Sequence, residues 1–122
     1  MTTEQALVVA INFSAQFSGP VERGEKTQTI RRDRRCEPGA ALQLYTGQRT
    51  KACRKLRDAV CRDVTYVGLT ARGVTLGAVD RFPRDIDEFA RLDGFENYAA
   101  MWKWFSERYE TNSFTGFVIR WA

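Results

Sequence analysis

The sequence predicts an α+β fold, a small barrel-like sheet with flanking helices, and three observations lead there. Short segments rich in β-branched and apolar residues, separated by glycine- and proline-bearing turns, run from residue 6 to residue 76. Two amphipathic helical patterns follow between residues 85 and 109. A last apolar alternation over residues 114–121 returns the chain to strand. Strands, then late helices, then a closing strand suit a sheet that curls around its own core. A chain of 122 residues, 43% of them hydrophobic, makes one domain over residues 1–122 with a single core.

Taken in order, residues 6–13 predict a short buried strand. Residues 15–23 predict a turn or short helix interrupted at Gly19-Pro20, because proline removes a helical hydrogen bond and crowds the preceding turn. Residues 26–32 predict the next strand. Glu37-Pro38-Gly39 is a turn, and Leu42 and Leu44 alternate in a strand that Gly47 ends. Residues 49–57 are basic and read as a further strand. Residues 61–69 continue as strand, and Ala71-Arg72-Gly73 turns the chain into Val74-Thr75-Leu76. Asp85 with Glu88 three residues later starts a helix in the manner of a capping box. Ile86, Phe89 and Ala90 form its apolar face and Gly94 closes it. Asn97 caps a second helix in which Tyr98, Met101, Trp102, Phe105 and Tyr109 fall on one stripe. In the final strand Phe117, Ile119 and Trp121 share a face.

Charge and residue usage narrow the chemistry. The net charge of +4 is unevenly spread: residues 1–62 hold 12 basic and 6 acidic residues (+6), and residues 63–122 hold 7 and 9 (−2). Fifteen of the 19 basic residues are arginine, whose planar fork suits phosphate and stacks on bases. Arg31, Arg32, Arg34 and Arg35, then Arg49, Lys51, Arg54, Lys55 and Arg57, make a footprint expected of a nucleic-acid partner. The chain has no histidine, so the usual general base is missing and a metal site would need thiols and carboxylates alone. No metal or cofactor is expected. The three cysteines, without a CxxC pair, read as reduced thiols of a cytoplasmic protein, and Cys53 as a small buried residue. The apolar run over residues 6–11 is too short for a signal or a membrane span.

The densest run of chemistry is Gly24-Glu25-Lys26-Thr27-Gln28-Thr29-Ile30-Arg31-Arg32. Gly24 allows a sharp entry into the strand through positive φ. Period two puts Thr27, Thr29 and Arg31 on one face, and Lys26 on the other unless the bend swings it round. With that bend, Lys26, Thr29 and Arg31 converge on one anionic or carbonyl group. Without it, the run is a solvated basic edge strand.

The block Gly-x-Lys-Thr-x-Thr-Ile-Arg, followed by Pro38-Gly39 and Leu42-x-Leu44, resembles the ASCH domain (activating signal cointegrator homology), a relative of the PUA fold. Phe89-Ala90-x-x-Asp93-Gly94-Phe95, the aromatic helix and Phe117-Val118-Ile119-Arg120-Trp121 agree with it, so the resemblance covers residues 13–121. It implies a PUA-like β-barrel with a motif-lined cleft, and RNA or a modified nucleoside as partner. Some bacterial members are amidohydrolases that remove the acetyl group of 4-acetylcytidine with a lysine, a threonine three residues later and a downstream carboxylate. Those positions are Lys26, Thr29 and Asp93 in this chain. The family member has glutamate at the last, one methylene longer. In that chemistry a lysine of lowered pKa accepts the threonine proton, Asp93 orients it and Arg31 stabilises the carbonyl oxygen.

Three readings stay open. As a binding module, the domain holds phosphates with Arg32, Arg34, Arg35, Arg54 and Lys55 while the cleft takes a base. As an enzyme, it hydrolyses an amide or, as a metal-independent ribonuclease, a phosphodiester. As an accessory factor, encoded by a phage or mobile element, it binds another protein. Plainer roles exist for the same residues. Thr29 suits a strand by propensity alone, Lys26 a snorkelling rim, and Asp93-Gly94 a helix-ending turn. Trp102 and Phe105 suit a core, and Trp104, off the stripe, an exposed aromatic.

Overall fold

The computed structural model describes residues 8–77 and 82–122. Among them lie seven strands and three helices: β1 (Val8–Phe13), α1 (Ala15–Arg23), β2 (Gln28–Arg31), β3 (Ala41–Thr46), β4 (Arg54–Val60), β5 (Asp63–Thr70), β6 (Gly73–Leu76), α2 (Ile86–Leu92), α3 (Tyr98–Tyr109) and β7 (Ser113–Arg120). The strands pair in two sheets rather than one closed barrel. One has the order β1-β3-β4 and the other β2-β7-β5-β6. β1 runs parallel to β3, which needs a crossover, and α1 with β2 supplies it. The remaining pairs are antiparallel.

Each sheet carries its own core. Ile11, Phe17, Leu42 and Leu44 fill one; Val67, Leu69, Met101 and Phe114 fill the other. β7 serves both, because consecutive strand residues point to opposite sides: Val118 belongs to the second core, Ile119 and Trp121 to the first. The expected face of Phe117, Ile119 and Trp121 is therefore only half of that strand's burial. α3 is tied down by its predicted stripe and by Tyr98, whose hydroxyl donates to Thr70 O at 2.6 Å and Gly73 O at 3.0 Å.

Local chemistry explains most boundaries. Asp85 Oδ1 accepts from the amides of Asp87 and Glu88, and Asn97 Oδ1 from the amide of Ala100, as N-caps do. At the end of α2 the Gly94 amide donates to Arg91 O and the Phe95 amide to Ala90 O, a Schellman closure with Gly94 at φ 96°. α1 closes the same way at Gly24.

Four further expectations shift. α1 runs unbroken through Pro20, since burial of Phe17 and Val21 outweighs the lost hydrogen bond. β2 spans 28–31 rather than 26–32, so Lys26 sits in the bend before it. The basic strand starts only at Arg54. Upstream of it, Thr50 bonds to Gly47 O through both amide and hydroxyl and makes a turn. Cys53, immediately before that strand, is exposed; the buried thiols are Cys36 and Cys61, whose sulfurs lie 3.7 Å apart. The start of the first predicted strand, residues 6 and 7, lies outside the described residues. No described helix is long and apolar enough to cross a membrane.

Candidate functional site

A cavity of about 270 Å³ opens at the seam between the two cores. Lys26, Thr29, Arg31 and Asp93 all line it, together with a wall of aromatic rings from both cores. Three local events bring them there. The Gly24 turn swings Lys26 out of the strand alternation, so its side chain joins Thr29 and Arg31. β2 is held against β7 with Thr29 opposite Ile119 and Arg31 opposite Phe117. The end of α2 is then docked on the same bend by a hydrogen bond from the Thr27 amide to Leu92 O at 2.9 Å.

Lys26 is 1% exposed, so the snorkelling role is ruled out. Its ammonium donates to Gln28 O at 2.7 Å and to Asp93 O, and lies 3.6 Å from Asp93 Oδ2. Asp93 is the C-cap of α2, so one of these two carbonyls lies at a helix C-terminus, where the helix dipole favours a cation. The ammonium also lies over the Phe17 ring at 4.9 Å. Asp93 is both the end of that helix and a cavity residue. Burial pushes the Lys26 ammonium down to about 8 against the pull of the Asp93 charge. Burial likewise pushes the Asp93 carboxyl up to about 6, with Lys26 opposing.

The carboxylate is under-served. At 3.6 Å its Oδ2 is beyond normal hydrogen-bond length from Lys26, and its Oδ1 is buried with no hydrogen-bond partner among the described residues. Arg31 repeats the pattern with the opposite sign. Its terminal nitrogen donates to Asn12 O at 2.9 Å and its guanidinium lies over Phe13, yet buried Nε has no acceptor among the described residues. Burial, then the nearby Arg35, lowers the Arg31 pKa. Arg31, with a buried donor unmet, and Asp93, with a buried acceptor unmet, therefore both line one cavity, and each unmet atom costs about 1–3 kcal/mol.

The other predicted cations divide. Arg32, just beyond β2, lies over the Tyr109 ring at 5.0 Å. Arg35 donates to Ala10 O at 3.3 Å. Arg34 is paired with Glu37, Arg54 with Glu22 and Lys55 with Asp58, at 2.8–3.0 Å, and none of the three lines the cavity. Trp104 departs from expectation: it is half-buried, packs edge-on against Phe17 and Phe105 and walls the cavity. The residues that sequence reasoning missed are Gln28, Phe95 and Arg108. Gln28 is fully buried between Arg120 and the Phe89 carbonyl; Phe95 and Arg108 line the cavity. Arg108 carried a usable signal, since it follows Trp104 by one helical turn. No group of three or more potential metal-ligating side chains occurs among the described residues.

Comparisons with protein-family models, with curated proteins and with solved structures give no match.

Proposed function

We propose that this is a base-binding domain of the ASCH type, with a PUA-like architecture, whose cavity takes one base of RNA or of a modified nucleoside in the cytoplasm. The observation that carries the reading is that Arg31 and Asp93, whose Nε and Oδ1 are buried and unmet, both line one aromatic-walled cavity. A nucleobase edge offers a ring or exocyclic N–H to the carboxylate and a carbonyl or ring nitrogen to the guanidinium. Its π-faces suit Phe13 and Trp104. A purely accepting anion would satisfy Arg31 and leave Asp93 repelled. The test is calorimetric titration with the common nucleosides and 4-acetylcytidine against wild type, Arg31→Leu and Trp104→Leu. Binding in wild type that weakens at least tenfold in either variant supports the reading. Absence of binding, or binding equal in all three proteins, removes it.

A second reading, amide hydrolysis, is favoured by one observation: an amine with a pKa near 8 and the Thr29 hydroxyl line the same cavity. Lys26 would take the Thr29 proton as Oγ attacks the acyl carbonyl, with Arg31 facing the oxygen that becomes negative. It would return that proton to the cytidine N4 as the C–N bond breaks; water then hydrolyses the acetyl-threonine ester, releasing acetate. The ammonium is now turned toward two carbonyls and Asp93, so this chemistry needs it to shift toward Thr29. Asp93→Glu lengthens the carboxylate that stops 3.6 Å short of Lys26. Release of cytidine from 4-acetylcytidine in the presence of a chelator, lost in Thr29→Ala and raised in Asp93→Glu, is the expected result. No turnover in wild type or Asp93→Glu rejects hydrolysis of this amide and leaves a binding site.

A further inference from the structure

Three arginines stand on the aromatic wall of the cavity. The guanidinium carbon lies over Phe13 for Arg31 (5.3 Å), over Tyr109 for Arg32 (5.0 Å) and over Trp104 for Arg108 (5.2 Å). All three rings line the cavity. Arg31 is drawn inward and held by Asn12 O. Arg32 and Arg108 are exposed, and neither is ion-paired or hydrogen-bonded to any described residue. A guanidinium laid on a ring keeps its N–H groups around its edge, in the fork that takes two oxygens of one anion. The rim is thus built of two arginines oriented by ring faces, whose donors have no partner among the described residues.

Size points the same way. About 270 Å³ lies just under the range of small-molecule pockets, room for a base with its sugar and anything beyond it left outside. We propose that the natural ligand is phosphorylated, a nucleotide whose base enters the cavity while its phosphate rests on Arg32 and Arg108; this rests on the base-site reading above. Free mononucleotides and nucleotides within single-stranded RNA share that chemistry.

The experiment compares, by calorimetry, the common nucleosides, their 5′- and 3′-monophosphates, inorganic phosphate and a short mixed-sequence single-stranded RNA. The expected result is that a monophosphate or the RNA binds at least tenfold more tightly than the matching nucleoside. That ratio should fall toward one in Arg32→Gln/Arg108→Gln and persist in Arg23→Gln, which removes a charge paired elsewhere with Glu25. Preference for the RNA over every mononucleotide assigns the polymer as source; the reverse assigns the free nucleotide. Equal affinity for nucleoside and monophosphate overturns the rim while the base site stands. Inorganic phosphate binding as tightly as the monophosphates overturns it as well, because the rim would then be an anion site without a base. Binding of none of the probes removes the base site and the rim together.

Discussion

Arg54 and Lys55 on β4 and Arg32 and Arg108 over the aromatic wall of the cavity carry the same charge, and the sequence marks Arg32, Arg54 and Lys55 alike as phosphate contacts. In the folded chain Arg54 faces Glu22 at 2.8 Å and Lys55 faces Asp58 at 3.0 Å. Arg32 and Arg108 instead sit on Tyr109 and Trp104, their donors unclaimed by any described side chain. A third cation, Lys26, is buried altogether and held by backbone carbonyls and Asp93. Cations in this domain therefore differ by neighbour rather than by type. Those on β4 are paired locally, Arg32 and Arg108 have no carboxylate paired with them among the described residues, and Lys26 is structural at the least.

The largest expected effect separates Lys26 from the surface cations. Lys26→Met leaves Asp93 buried without its counter-charge and two carbonyls without a donor, a loss of about 3–5 kcal/mol in unfolding free energy by denaturant titration. Lys55→Gln should change stability little, because an exposed pair contributes little. A mild Lys26→Met would mean that the ion pair is solvated and the contrast false.

Next in size is Gly94→Ala. The residue sits at φ 96°, and a Cβ there would come within 3.0 Å of the Phe17 ring and 3.1 Å of Lys26 Cδ. A loss of about 1–3 kcal/mol is expected from backbone strain and the contact together. An unchanged midpoint would show that the helix end and Lys26 are not packed as described.

A pH series sharpens the comparison further. Folding raises the Asp93 pKa to about 6, so the folded state holds an extra proton between about pH 4 and 6. Stability contributed by this group is full at low pH and falls as pH rises through that window. Folding lowers the Lys26 pKa to about 8, so the unfolded state holds the extra proton between about pH 8 and 10.4. Stability rises with pH there. Relative to Lys26→Met/Asp93→Leu, wild type should be least stable near neutrality, and a flat difference would contradict the burial of both charges.

The smallest effect belongs to β4. Arg54→Gln/Lys55→Gln and Arg32→Gln/Arg108→Gln each remove two positive charges, yet the first should weaken binding of a short single-stranded RNA far less. It should also flatten the dependence of affinity on salt less than the second, by filter binding at several salt concentrations. Equal losses would return the β4 stretch to the candidate interface.

What could be read in advance was whatever a few neighbouring residues decide among themselves. The caps Asp85 and Asn97, the turn at residues 71–73, the glycine exits at Gly24 and Gly94 and the stripe of α3 depend on hydrogen bonds and periodicity within one or two turns, and each lies where its residues say. Pro20 shows the limit, because its helix is held by Phe17 and Val21 packing into a distant core. Lys26, Thr29 and Arg31 were visible as a motif, and Asp93 as a matching position, but only a cavity between two cores joins side chains 67 positions apart. Likewise the sequence shows how many arginines there are, and only the tertiary structure shows which have a carboxylate or an aromatic ring beside them. Charge count and hydrogen-bonding capacity are properties of a residue; burial, pKa and free valence are properties of its surroundings, and those surroundings come from remote parts of the chain.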